Sequence, residues 1–332
     1  MQIPTIQGFD SVPDFAPPSV ILSFPPRVDD AHYLARTDRN IGWILAEEQQ
    51  LLRECVISIA GTGGMGGQVA QLLVRTGVGT IRIADPEVFD PSNINRQLAA
   101  NRHTIGKSKA LETARILRSI ADDYRLEVYP QGICLEILPH FVPHADLIVD
   151  EIEFWNIGSC ILMHQMARQL GIPIINCLTV GFATYLHYFT PESMPVEEML
   201  GISLSEALEL EAGHLAGTLS DATRHSLMDT IFRCFIPHMP AYYAGPEGPA
   251  RNQWILDRLA HTGEASILGA NASIAAGFVA VRTLLAVLAQ RKGAARSVTP
   301  LPVTPDYVCF DAAVLPETTI RRRAYEEFSH GY

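Results

Sequence analysis

Apolar positions along this chain fall into two rhythms that alternate. Val56-Ile57-Ser58-Ile59-Ala60 is a short apolar run of buried-strand length, and Val69, Leu72 and Leu73 then follow at helical spacing. Ile81-Arg82-Ile83-Ala84 reads as a second strand, ending at Asp85. Ala110, Ala114, Leu117 and Ile120 mark an amphipathic helix, and strands follow at Leu126-Glu127-Val128-Tyr129 and Ala145-Asp146-Leu147-Ile148-Val149-Asp150. A helix over residues 161–170, a strand over 172–176 and an alternating strand over 182–189 complete the series; the last suits an added antiparallel partner. Strands alternating with helices predict an α/β fold, Rossmann-like, with a mainly parallel sheet flanked by helices.

The pattern changes after residue 190. Leu200, Leu204, Leu208 and Leu210 interleave with Glu197, Glu198, Glu206, Glu209 and Glu211, and Pro237, Pro240, Gly245, Pro246, Gly248 and Pro249 break the later part. This predicts a mostly helical insertion over 191–263, placed to cover the open edge of a site and to select its substrate. Residues 265–289 form a long, almost uncharged run, and Tyr307-Val308-Cys309-Phe310 a further strand. The expected units are therefore a Pro-rich arm over 1–30, a core over 31–190, the insertion over 191–263, and a helix and strand over 264–332 that complete the core.

Composition narrows the class. A chain of 332 residues with 48% hydrophobic and 18% charged residues holds enough apolar surface for a large core. A formal charge of −11 argues against a nucleic-acid backbone as partner. The first 30 residues lack the basic start and continuous apolar core of a secretory signal. Scattered cysteines (Cys55, Cys134, Cys160, Cys177, Cys234 and Cys309) suit a reducing, cytoplasmic setting.

The chemistry begins at the glycine cluster Gly61-Thr62-Gly63-Gly64-Met65-Gly66-Gly67, set between strand and helix, with Asp85 at the end of the next strand. Glycines there let the backbone approach phosphates, and the helix start directs N–H groups and a positive dipole end at them. Nicotinamide, flavin, methyl-donor and ATP enzymes all use such a turn. The following segments, Ser92-Asn93-Ile94-Asn95-Arg96-Gln97 and Gly106-Lys107-Ser108-Lys109-Ala110, favour ATP, because charge developing at the α-phosphate and on departing pyrophosphate calls for cations.

Together GTGGMGG, Asp85, SNINRQ and GKSKA, in this order, resemble the ubiquitin-activating-enzyme superfamily, whose bacterial members include ThiF- and MoeB-type adenylyltransferases; the likeness is closest over residues 36–181. The resemblance implies ATP-dependent conversion of a carboxylate to an acyl-adenylate with release of pyrophosphate. The carboxylate would be the C-terminus of a ubiquitin-like or sulfur-carrier protein, a peptide or a small acid. By the same resemblance Gly61, Gly63, Gly64 and Gly66 cradle the nucleotide, and Asp85 holds the ribose. Asn93, Arg96 and Lys109 serve its phosphates, Gln97 is a further nucleotide-binding residue, and Arg39 reaches the phosphates from the neighbouring subunit of a homodimer. The family's acid-x-x-Asp pair here reads Asp150-Glu151-Ile152-Glu153, so Glu153, with Asp150, is the expected Mg²⁺ ligand, one methylene longer than usual.

Family relatives with structural zinc carry two CxxC pairs; this chain has none, so no structural zinc is expected. Thioester chemistry would fall to Cys234, beside Arg233 and near His238, or to Cys177 at a strand end. The run over 265–289 is long enough for a membrane span, but the family places a buried helix there, and no membrane contact is expected. An inactive partner subunit, a nicotinamide-dependent oxidoreductase and a tailoring enzyme acting on a peptide or metabolite stay open on the sequence alone.

Overall fold

A computed structural model describes residues 5–6, 21–237, 239–243, 245–292 and 298–314. Most of the Pro-rich arm, His238 and the Arg321-Arg322-Arg323 tail lie outside the described residues.

Two short strands, β1 (Thr5–Ile6) and β2 (Ile21–Phe24), precede helices α1 (Asp30–Thr37) and α2 (Ala46–Glu54). The expected mononucleotide unit follows: β3 (Val56–Ala60), α3 (Gly66–Thr76), β4 (Thr80–Ala84), α4 (Lys109–Ile120) and β5 (Arg125–Tyr129). Next come α5 (Leu138–Phe141), β6 (Leu147–Asp150), α6 (Ile157–Gln169) and the hairpin β7 (Ile174–Val180) and β8 (Ala183–Phe189). Four helices, α7 (Val196–Leu200), α8 (Leu204–Leu215), α9 (Asp221–Phe235) and α10 (Gly248–Thr262), occupy the region read as a helical insertion. The long α11 (Gly269–Lys292) and β9 (Tyr307–Asp311) end the described chain.

The nine strands form one sheet in the order β1-β2-β5-β4-β3-β6-β7-β8-β9. Strands β5, β4, β3, β6 and β7 run parallel, while β8 and β9 add antiparallel edges. Register brings Ala60, Ala84 and Asp150 level at the carboxyl ends of the three central strands. β2 pairs antiparallel with β5, so the end of the segment read as a Pro-rich arm is built into the sheet.

Each face of the sheet carries its own core. On one side Ile57, Ile59 and Ile81 pack against α3, α4 and α11 through Val69, Leu73, Ala114, Ala276 and Val279. On the other, Ile148, Tyr185 and Phe141 meet α6, α8 and α9 through Ile161, Met163, Ala207 and Met228. Helix α11 is long and apolar enough to cross a bilayer by length and composition. Its small side chains, Ala272, Ala275 and Ala276, are fully buried against its neighbours in the fold.

Candidate active site

The glycine turn is shaped by two close approaches. Gly61 has φ +97°, and a Cβ on it would collide with the Glu151 carbonyl oxygen. Gly66 opens α3 directly on the Gly61 carbonyl, where any side chain would clash. Met65 gives α3 no side-chain cap, so the helix start keeps N–H groups free for an anion. Beside it lies a cleft open to solvent and lined by Gly61, Gly63, Asp85, Glu87, Lys109 and Glu153 among others.

Asp85 is buried at the end of β4. Its Oδ2 accepts from the Thr62 backbone N–H at 2.8 Å and the Thr62 hydroxyl at 3.0 Å, and its Oδ1 from the Glu87 N–H at 2.9 Å. These bonds tie the glycine turn to β4 and leave Oδ1 further acceptor capacity for a ribose hydroxyl. Burial pushes the carboxyl up from its ordinary value, against the pull of Lys109. Lys109, at the start of α4, is itself buried and ion-paired with Glu87.

Arg96 sits on the turn after β4, capped by Asp90. Its side chain lies over Gly64, where a Cβ would come within 3.1 Å of the Arg96 Cδ. The guanidinium donates to Asn95 Oδ1 at 2.9 Å, while its Nε is buried without a hydrogen-bond partner. Burial lowers the Arg96 pKa, opposed by Glu153, Glu264 and Glu87. Gln97 is buried with an unpartnered Oε1, its amide nitrogen 3.8 Å from where a Gly63 Cβ would stand. Asn93 uses its Oδ1 on the Asp90 N–H at 3.1 Å, so its side chain shapes the turn.

The acids after β6 divide. Glu153 faces the cleft; burial, then Glu87 and Asp85, push its carboxyl up to about 7 against Lys109 and Arg96. The residue still has surface exposed to solvent. Glu151 is pushed well above the ordinary carboxylate range by burial and then by Asp150 and Glu153, and its Oε1 has no partner. Asp150 does not join them. Its Oδ1 accepts from the Ile152 N–H at 3.1 Å and its Oδ2 meets His164 Nε2 at 2.8 Å, on the α6 side.

Three expected residues stand apart. Arg39 is exposed in the turn Asp38–Asn40, with no hydrogen bond or ion pair of its side chain among the described residues. The neighbouring Asn40 donates to Thr76 O at 3.1 Å, which puts this turn at the far end of α3, about 15 Å from the glycines of the same chain. Cys177 lies in the core and Cys234 donates to Met199 O at 3.0 Å. Burial raises the pKa of both thiols, the direction opposite to an activated nucleophile.

Sequence reasoning passed over several contributors. The sequence reading assigns no role to Glu87, Thr62 or Asn95. Asn95 Nδ2 donates to Ile267 O at 3.0 Å, joining the Arg96 turn to the approach to α11. Only the SNINRQ string hinted at Asn95, and nothing local hinted at its partner.

The ThiF family profile matches residues 37–312. The Thermus thermophilus sulfur carrier protein adenylyltransferase is 30% identical over 129 residues, 39% of this chain and 47% of that protein. The Escherichia coli sulfur carrier protein ThiS adenylyltransferase is 29% identical over 148 residues, covering 45% and 58% respectively. The chain spans about half the length of the curated relatives it matches. A solved structure of PaaA shares the fold with a TM-score of 0.55 at 17% identity, covering 87% of this chain and 86% of that one.

Proposed function

The chain belongs to the ThiF family, and on that premise we propose that it uses ATP to adenylate a carboxylate, releasing pyrophosphate. One observation carries this reading: an uncapped helix start, a buried lysine and crowded acids share one cleft, and the Arg96 side chain lies over Gly64 in the same glycine turn. The glycine turn and α3 hold the triphosphate, Asp85 the ribose, and Arg96 and Lys109 neutralise the charge that grows as pyrophosphate departs. Arg96 and Lys109 each give up a resting partner, Asn95 and Glu87, to do so. A substrate carboxylate is already ionised at neutral pH, so placement and charge neutralisation suffice without a general base.

The donor set fits Mg²⁺. Glu153 and Glu87 are oxygen donors on one cleft, and Glu153 holds a proton near neutrality, a condition that a divalent cation relieves. Bound there, Mg²⁺ supplies further charge neutralisation at the triphosphate. The acyl group is that of a peptide, a small carrier protein or a small acid.

The active form is a homodimer in which Arg39 serves the partner's cleft. Around Arg39, Ile41 and Leu45 are exposed and Trp43 is 94% exposed, an apolar patch that suits burial against a second copy. ATP–pyrophosphate exchange, screened over peptides and small acids, tests the activity. Arg96→Ala should lower exchange by two orders of magnitude or so, about 3 kcal/mol; undiminished exchange would sink the mechanism. Mixing Arg39→Ala with Arg96→Ala should restore part of the activity, since one cleft of each mixed dimer is complete.

A further inference from the structure

Behind the nucleotide cleft, on the α6 side of β6, three side chains of different chemistry converge: Asp150, Cys160 and His164. Asp150 ends β6, while Cys160 and His164 stand four residues apart on α6, on one face of the helix. His164 Nε2 is 2.8 Å from Asp150 Oδ2, and Cys160 Sγ is 3.4 Å from the same oxygen. All three donor atoms lie within 4.8 Å of one another. We propose that this trio is a binding site for a divalent transition-metal ion of the zinc class, separate from the Mg²⁺ at the phosphates.

Tetrahedral ligands at metal distances of about 2.0–2.3 Å stand roughly 3.3–3.7 Å apart. The His164–Asp150 and Cys160–Asp150 spacings need to change by less than about 1 Å to meet this. The donor set is also right for its depth. A dication with one thiolate, one carboxylate and one neutral imidazole is a neutral assembly, which a buried position tolerates far better than a bare charge. Sulfur and imidazole nitrogen select zinc-class ions over Mg²⁺, which prefers oxygen throughout. On binding, the Cys160 thiol proton leaves to solvent, and the imidazole keeps its proton on Nδ1 so that Nε2 is free to coordinate.

A fourth donor is at hand. His164 borders a small cleft that also involves Gln165, Arg168 and Phe189, from which water can enter. On the adjacent strand Asn176 pairs in register with Asp150, and its Oδ1 is buried with no partner among the described residues. The site would brace the turn that runs from Asp150 to Glu153, since Asp150 Oδ1 already holds the Ile152 N–H.

The test uses the full chain and reads metal, not turnover, so it stands whether or not the adenylation reading holds. Metal-stripped protein is titrated with Zn²⁺ against a chelating indicator, and with Co²⁺ as a spectroscopic probe, in excess Mg²⁺. The expected result is one ion per chain, a thiolate-to-cobalt charge-transfer band and the visible bands of a tetrahedral ion. Cys160→Ser should abolish the charge-transfer band with the circular dichroism unchanged, and His164→Ala should weaken Zn²⁺ binding at least tenfold. Cys234→Ser, outside the trio, should change nothing. No tight ion in excess Mg²⁺, or a charge-transfer band that survives Cys160→Ser, would overturn the proposal and leave a hydrogen-bonded Asp–His pair beside a bystander thiol.

Discussion

The two ends of α3 are built in opposite ways. At its carboxyl end side chains meet the carbonyls that the helix leaves free: Arg36 donates to Val74 O, Asn40 and Gln49 to Thr76 O, and Tyr33 to Gly77 O. Arg36 is in turn held by Asp123 at 2.6 Å. At the amino end no side chain caps the helix, and the polar groups nearby include an unpartnered Arg96 Nε and Gln97 Oε1. Helix ends in general need such partners, from the protein or from a ligand. One end of this helix has found them within the chain, and the other leaves room for an anion.

The contrast can be broken at either end. Asp123→Ala strands a largely buried Arg36 and should cost about 3–5 kcal/mol of stability, seen as a large fall in Tm, with exchange per folded molecule unchanged. Lys109→Ala should do the reverse: about 3 kcal/mol lost from the chemical step, with Tm little altered, since its partner Glu87 is exposed. A fall in Tm matching that of Asp123→Ala would show that Lys109 belongs to the scaffold.

Glu153 offers a subtler measurement. Its carboxyl is raised to about 7, so it is mostly neutral below that pH and ionised above it. The concentration of Mg²⁺ needed for half-maximal exchange should therefore rise about tenfold per unit as pH falls below 7. Stability follows the opposite sign. With the folded pKa above the unfolded one, the native state holds the extra proton between about 4.5 and 7, so stability is lost as pH rises through that window. Glu153→Gln should therefore raise Tm at pH 8 without metal and leave it nearly unchanged at pH 4; an equal shift at both would refute the assignment. The smallest effect is expected at sulfur: Cys234→Ser should leave exchange within about twofold, because its thiol is held on Met199 O and disfavoured as thiolate.

Whatever is local in this chain was legible in its sequence. β3, the glycine turn, α3, β4 and Asp85 are consecutive, and their spacing alone sets their geometry. Strand β7 was read as 172–176 but runs Ile174–Val180, because half-buried Asn176 and Thr179 interrupt the apolar signal beside a hairpin partner that satisfies them. The strand Ile21–Phe24 hid among prolines, since what orders it is pairing with β5, about a hundred residues on. Asp150 was read with Glu153 because they share a motif. Its actual companions, Cys160 and His164, come from the next helix, and helical spacing shows only when the acid before it is set against the same face. Arg39 was legible as a residue and not as a place: its turn lies at the far end of α3 from the glycines of its own chain, so the role proposed for it calls for a second copy.

Asn95 grips Ile267 O, and Gly269 seats on the Asn95 carbonyl, so the chain leaving the helical segment lands on the turn that carries Arg96. Trp155 Nε1 donates to Gly263 O at 3.2 Å, fixing the same stretch at its other end. Any redesign of the helical segment's exposed side must therefore return the chain to the same place. Miss that landing point, and the arginine loses its footing even though every residue of the signature string is still in place.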